Sequence, residues 1–151
     1  MQRVVDALGL DAGSAYAEFG TGGIPFAALA GAAERRWDAF REAGLRVLPW
    51  ATTGWDPRPR VEHPVSWTTY EPEAWAQPGT PTEIAAHLER ALAWTVSYPT
   101  AGKANAVLMY AWNEFDEGGW LCPTLGEGTR RLDAIRLVLA RRGSFTSPDN
   151  T

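Results

Sequence analysis

With 151 residues, of which 45% are hydrophobic and 21% charged, the chain has room for one domain with a substantial core. Its formal net charge of −4 and pI near 5.2 argue against nucleic acid or an anionic membrane surface as a partner. The single cysteine, Cys122, excludes an internal disulfide framework and a cysteine-based structural zinc site, and it permits a reducing compartment.

No apolar run is long enough to span a bilayer, and the first residues lack the basic and apolar regions of a signal peptide. A cytoplasmic location is therefore expected if the chain is complete. The compositional anomaly is the 8 tryptophans. Because a buried indole N–H needs a partner, such a surplus fits either a large core or stacking platforms for sugar rings.

In chain order, a first strand is expected over residues 4–10, followed by Asp11-Ala-Gly-Ser-Ala-Tyr16 and the loop Gly20-Thr21-Gly22-Gly23. A helix fits residues 27–43, with Phe26, Leu29, Ala33, Trp37 and Phe40 along one face and Gly44 as its stop. A second strand over residues 46–51 leads into Gly54-Trp-Asp-Pro-Arg-Pro-Arg60 and a long Pro-, Trp- and Tyr-rich loop to Gly79. Thr80-Pro81-Thr82-Glu83 carries the signature of a capping box with Pro at the first helical position, and Ile84, Leu88 and Leu92 follow at helical spacing. A third strand over residues 104–112 reads as a buried apolar run ending in Asn113-Glu114-Phe115-Asp116-Glu117-Gly118-Gly119. A last helix over residues 129–142 carries Arg141-Arg142 where they complement the helix dipole, and residues 144–151 read as a flexible tail after a single domain over residues 1–143.

Strands separated by helices imply an α/β fold of consecutive β-loop-α units, with parallel strands and right-handed crossovers. Three units are too few for a closed eight-stranded barrel of roughly 250 residues, so the chain is either a small open α/β domain or part of a larger barrel. Each unusual polar cluster falls after a strand and before the next helix, the face where parallel α/β folds gather their active sites.

The acidic turn is the strongest chemical signal. Carboxylates repel one another and resist burial, so three in four residues do nothing for a core. In a tight turn Glu114 and Glu117 come within roughly 5–6 Å, near the carboxyl separation of retaining glycoside hydrolysis. One pKa of such a pair should rise and supply the acid. Asn113 could donate to a sugar hydroxyl. A solvated acidic turn is the alternative, and Ca²⁺ binding with Asp116 is another, although the calcium-loop spacing is absent.

Trp55-Asp56, held between Gly54 and Pro57, and Trp120 suit recognition of a sugar, or else cap the core. His63 lies in the long loop within reach of a site, while His87 falls inside a helix as an ordinary residue. The glycine loop lacks the Lys-Ser/Thr of a phosphate loop, and neither Cys122 nor Ser14 has a neighbouring base.

These segments resemble a known family. Ala111-Trp-Asn-Glu-Phe-Asp-Glu-Gly118, with Leu121-Cys-Pro123 behind it, resembles the Asn-Glu-Trp-x-Glu-Gly…Leu-Glu-Pro signature that joins the endo-α-mannosidase-like glycoside hydrolases (family 99) to the WbsX-type polysaccharide-biosynthesis proteins. Gly54-Trp-Asp-Pro-Arg-Pro-Arg60 and, more loosely, Leu10-Asp-Ala-Gly-Ser-Ala-Tyr16 are similar to two further segments of that family, in the same order. Phe115 stands in place of Trp and removes an N–H donor, Asp116 adds a charge between the glutamates, and Cys122 replaces a Glu.

The resemblance implies the carboxyl-terminal part of a (β/α)8 TIM barrel. Glu114 would act as base on a neighbouring sugar hydroxyl and Glu117 as general acid at the leaving oxygen. Tyr16, Trp55, Asp56, Trp112, Asn113 and Trp120 are the expected substrate contacts. The implied substrate is an α-linked, mannose-type or bacterial surface polysaccharide, with no metal or organic cofactor. A missing amino-terminal half or self-association would complete the barrel. A carbohydrate-binding domain without turnover, or an inactive barrel fragment, is the alternative.

Overall fold

The computed structural model describes residues 7–143. Apolar side chains at three- and four-residue spacing form helix α1 (Phe26–Glu42), which buries Phe26, Leu29, Ala30, Ala33 and Trp37. Gly44, at φ +81°, ends it, and the Leu45 N–H donates back to Phe40 O. Strand β1 (Trp50–Thr52) is buried throughout. A short helix, α2 (Arg58–Glu62), follows within the segment expected to be loop. Helix α3 (Pro81–Ser97) starts with the full capping box: Glu83 N–H donates to Thr80 Oγ1, and Thr80 N–H donates to Glu83 Oε2 at 3.0 Å. Strands β2 (Leu108–Tyr110), β3 (Asn113–Glu114) and β4 (Gly119–Trp120) precede helix α4 (Arg130–Gly143).

Among the described residues the protein is mixed α/β, with four helices and a small parallel sheet. Trp50 lies opposite Leu108, Ala51 opposite Met109 and Thr52 opposite Tyr110. Upstream, Gly13 makes a parallel bridge to Val47, donating to Arg46 O and accepting from Leu48 N–H, each at 2.9 Å. Three segments thus run side by side in chain order. β3 and β4 form a separate antiparallel hairpin.

All three expected strands change, the second, expected over residues 46–51, shrinking to β1 with an isolated bridge at Val47. Of residues 4–10, the first three lie outside the described residues, Ala7 is helical, and Gly9 turns the chain at φ +63°, so sheet contact begins only at Gly13. Residues 101–104 form turns, which shortens the third strand to β2. The run expected to be buried also leaves Leu108 45% exposed, because β2 has β1 on one side and no strand on the other among the described residues. The expected tail at 144–151 lies outside the described residues.

α3 and α4 pack together over Ala51, with Ala85, Leu88 and Val138 buried beside it. α1 and α3 enclose a second cluster containing Trp37, Trp50 and Trp94. The tryptophan surplus thus builds core in the first instance.

His87 lies in the α1–α3 contact, fully buried and stacked on Trp37 at 5.4 Å. Its Nδ1 is 3.1 Å from Glu34 Oε1, which also accepts from Arg90 Nε at 2.7 Å. Burial lowers the His87 pKa below 6.5 in spite of Glu34. The unfolded chain therefore takes up this proton first, and folding stability falls as pH drops below about 6.5, levelling off below the folded-state pKa. Urea unfolding at successive pH values should show this decline in the unsubstituted chain. His87→Gln should flatten it, leaving only the carboxylate losses that begin near pH 4.

Candidate functional site

β1 and β2 end together, with Thr53 donating from both N–H and Oγ1 to Tyr110 O at 2.8 and 2.7 Å. Beyond that point the backbone at residues 54–56 meets the acidic turn, and Asp56 N–H donates to Glu117 O at 2.6 Å. Two glycines permit the approach. A Cβ on Gly54 would strike Gly118 O, and one on Gly118, at φ +74°, would strike Asp56.

The β3–β4 hairpin is closed by a 3₁₀ turn over Phe115–Glu117 and Gly118. That geometry draws Glu117 inward until only 4% of it is exposed. Its Oε2 accepts from Tyr110 at 2.6 Å and from Tyr16 at 3.1 Å. Its Oε1 accepts from Tyr70 at 2.6 Å and from Arg60 Nη1. Arg60, carried by α2, is the hub of the cluster. Its Nε donates to Asp116 Oδ2 at 2.7 Å, its Nη1 also donates to the Tyr70 hydroxyl at 3.0 Å, and its Nη2 stands 3.6 Å from Glu114 Oε2. All three carboxylates of the turn thus face one guanidinium.

The electrostatics follow from these contacts. The hydrogen bond to Asp116 raises the Arg60 pKa, and the same bond lowers that of Asp116. Partial burial, then the charge of Glu117, pushes Tyr16 up to about 12. Burial and the hydrogen bond to Glu117 raise Tyr70 and Tyr110 as well. All three phenols therefore remain protonated donors at neutral pH.

A second cation, this one buried, supports the hairpin from behind. Arg131 of α4 donates to Trp120 O at 2.9 Å and to Gly79 O at 3.3 Å, pairs with Glu127 at 2.5 Å, and lies 3.8 Å over the Trp120 ring.

The expected site residues separate on this frame. Glu117 and Tyr16 meet directly, and Glu114 joins them through Arg60, with its side chain 36% exposed. Trp112, 56% exposed, and Asn113 lie on the open side of the hairpin. Trp55 does not present a stacking face: it is 3% exposed and packs against Phe19, Tyr70 and Tyr110. Asp56 is held by Arg58 through two hydrogen bonds of 2.7 and 2.6 Å rather than left for a sugar hydroxyl. Trp120, between Arg131 and Phe115, lines a cleft of 130 Å³ with Trp55, Pro59 and Pro78.

Arg60, Tyr70 and Tyr110 complete the cluster without having been singled out. Arg60 and Tyr110 sit inside the quoted motif and strand, whereas Tyr70 comes from a loop with no pattern. His63 is exposed. The glycine loop uses its amides within the fold, Gly22 and Gly23 donating to Glu73 O and Trp75 O, so it does not cradle phosphate. Asp116 is taken by Arg60, and among the described residues no group of three or more His, Cys, Asp or Glu side chains converges as a metal site. A cavity of 330 Å³ lies at the opposite end of the strands near Leu45 and Ala101 and has no carboxylate in its wall.

Comparison with protein families, with curated proteins and with solved structures gave no match to this chain.

Removing Arg60 would strand Glu117 as an uncompensated buried charge. Arg60→Leu should destabilise the fold by about 3–5 kcal/mol in chemical denaturation. Adding Glu117→Gln should restore part of the loss, while Asp116→Asn alone should cost less than about 1 kcal/mol.

Proposed function

We propose that the chain carries the acid–base region of a glycoside-hydrolase-like site acting on an α-linked, mannose-type or bacterial surface polysaccharide. The observation that carries this reading is the cluster of Glu114, Glu117 and Arg60 at the carboxyl ends of parallel strands. It pairs a fixed, buried carboxylate with an accessible one. Exposed aromatic side chains at Tyr16, Trp112 and Phe115 lie around it and suit the apolar faces of sugar rings.

The contacts favour a division of labour opposite to the one the motif resemblance implies. Glu117 accepts from four protein donors that fix its position, and on this reading it takes the base side of the pair. Glu114, with only the 3.6 Å contact to Arg60, is the carboxyl free to meet a leaving oxygen.

On the same reading, the sheet is the carboxyl-terminal part of a (β/α)8 barrel. Parallel segments in chain order, linked by α1 and α3, fit that architecture, and the unpaired side of β2 fits a sheet that continues. A carbohydrate-binding domain without turnover is the second reading, favoured by the exposure of Trp112.

Hydrolysis of α-linked manno-oligosaccharides, followed by product separation, tests the proposal. Glu114→Gln should lower turnover by at least about 100-fold with an unchanged melting temperature. Trp112→Ala should chiefly weaken affinity. Full activity in both Glu114→Gln and Glu117→Gln would end the catalytic reading, and sugar affinity retained without any turnover would establish the binding one.

A further inference from the structure

Glu117 poses a problem of access. A carboxylate that is 4% exposed cannot touch a sugar oxygen directly, yet all four of its partners are proton donors. Arg60 does not release protons in a protein. Tyr110 is buried, and its hydroxyl is sealed against Oε2. The Tyr70 hydroxyl sits between Arg60 and Oε1, donating to one and accepting from the other. Tyr16 differs from all of these, being 62% exposed while its hydroxyl lies 3.1 Å from Oε2.

Its ring stands edge-on to Tyr110 at 5.0 Å, which fixes its direction from the sheet side. It also follows the Gly13 segment, so it reaches the cluster from a different strand end than Glu117 does. The charged and titratable groups bearing on the Tyr16 hydroxyl are Glu117, Glu114 and Tyr110, with Arg60 behind Glu117.

We propose that Tyr16 is the group through which Glu117 exchanges a proton with a bound sugar, the two acting as one relay base. This rests on the glycoside-hydrolase reading above. In the step, the O–H bond of a sugar hydroxyl breaks and its proton passes to Tyr16 Oη. The proton that Tyr16 held passes to Glu117 Oε2. Tyr16 ends neutral, Glu117 ends as a carboxylic acid, and the sugar oxygen keeps the electron pair as an activated nucleophile. Arg60 and Tyr70 are positioning residues that hold the carboxylate for this transfer.

The test compares the unsubstituted chain with Tyr16→Phe on nitrophenyl-capped α-linked manno-oligosaccharides. Tyr16→Phe should lower kcat by about 100-fold or more and leave KM unchanged, with the far-ultraviolet circular dichroism of the folded chain retained. An unchanged kcat, or a loss confined to KM, would overturn the relay.

Fluorine NMR of protein labelled with meta-fluorotyrosine reads the same contact without substrate. The Tyr16 ionisation, assigned with Tyr16→Phe, should move to lower pH in Glu117→Gln, where the neighbouring charge is gone. A Tyr16 signal that titrates alike in both proteins also overturns the relay. If that signal moves while the unsubstituted chain leaves the sugars intact, the glycoside-hydrolase reading fails and the proton-sharing pair stands.

Discussion

Desolvating a carboxylate costs several kcal/mol unless charge and hydrogen bonds are returned to it, and Glu117 is almost completely desolvated. Four positions far apart in the chain answer that cost: Tyr16 after the first sheet segment, Arg60 on α2, Tyr70 in the long loop and Tyr110 at the end of β2. Each must be in place for the others to matter. Without Glu117, Arg60 would keep Asp116 as its close carboxylate partner, but the three phenols would lose their shared acceptor. The cluster therefore couples the strand ends, the long loop and the hairpin into one unit.

Backbone geometry makes that coupling possible. The 54–56 segment and the acidic turn approach so closely that glycine is needed at both Gly54 and Gly118. Trp55 fills the space behind, between Tyr70 and Tyr110, so its bulk determines where two of the phenols sit. Arg131 holds the other side of the hairpin through Trp120 O and Gly79 O, linking α4 to the start of α3. Two guanidinium groups thus bracket the turn, the partly buried Arg60 on its acidic face and the buried Arg131 on its backbone. Charge at this site is an architectural element as well as a chemical one.

How much of this can be read in the sequence depends on the range of each interaction. Helices α1, α3 and α4 follow from apolar spacing and from the Thr80–Glu83 cap, all contained within a few residues. The acidic turn was visible because three charges after an apolar run are improbable as packing. Its internal order was not, since the burial of Glu117 depends on hydroxyls as many as 101 positions away. Tyr70 shows the limit: a tyrosine among prolines and acids has no periodicity to mark it. Trp55 shows the same limit, because a tryptophan beside Asp-Pro looks alike whether its ring faces a ligand or the core, and here it faces the core. The first strand was expected over residues 4–10 on the strength of Val4 and Val5, which lie outside the described residues, whereas the described bridge forms at Gly13.

The asymmetry between the two glutamates follows from the same physics. Arg60 has one guanidinium for three carboxylates, and geometry distributes it unequally. Its Nε is committed to Asp116 and its Nη1 to Glu117 and Tyr70, so only a longer Nη2 contact remains for Glu114. Asp116 takes the share that Glu114 could have had. Neutralising Asp116 would free Nε and let the guanidinium rotate toward Glu114, tightening the pair that is now loose. Asp116, between the glutamates in the chain, therefore sets how differently they are held.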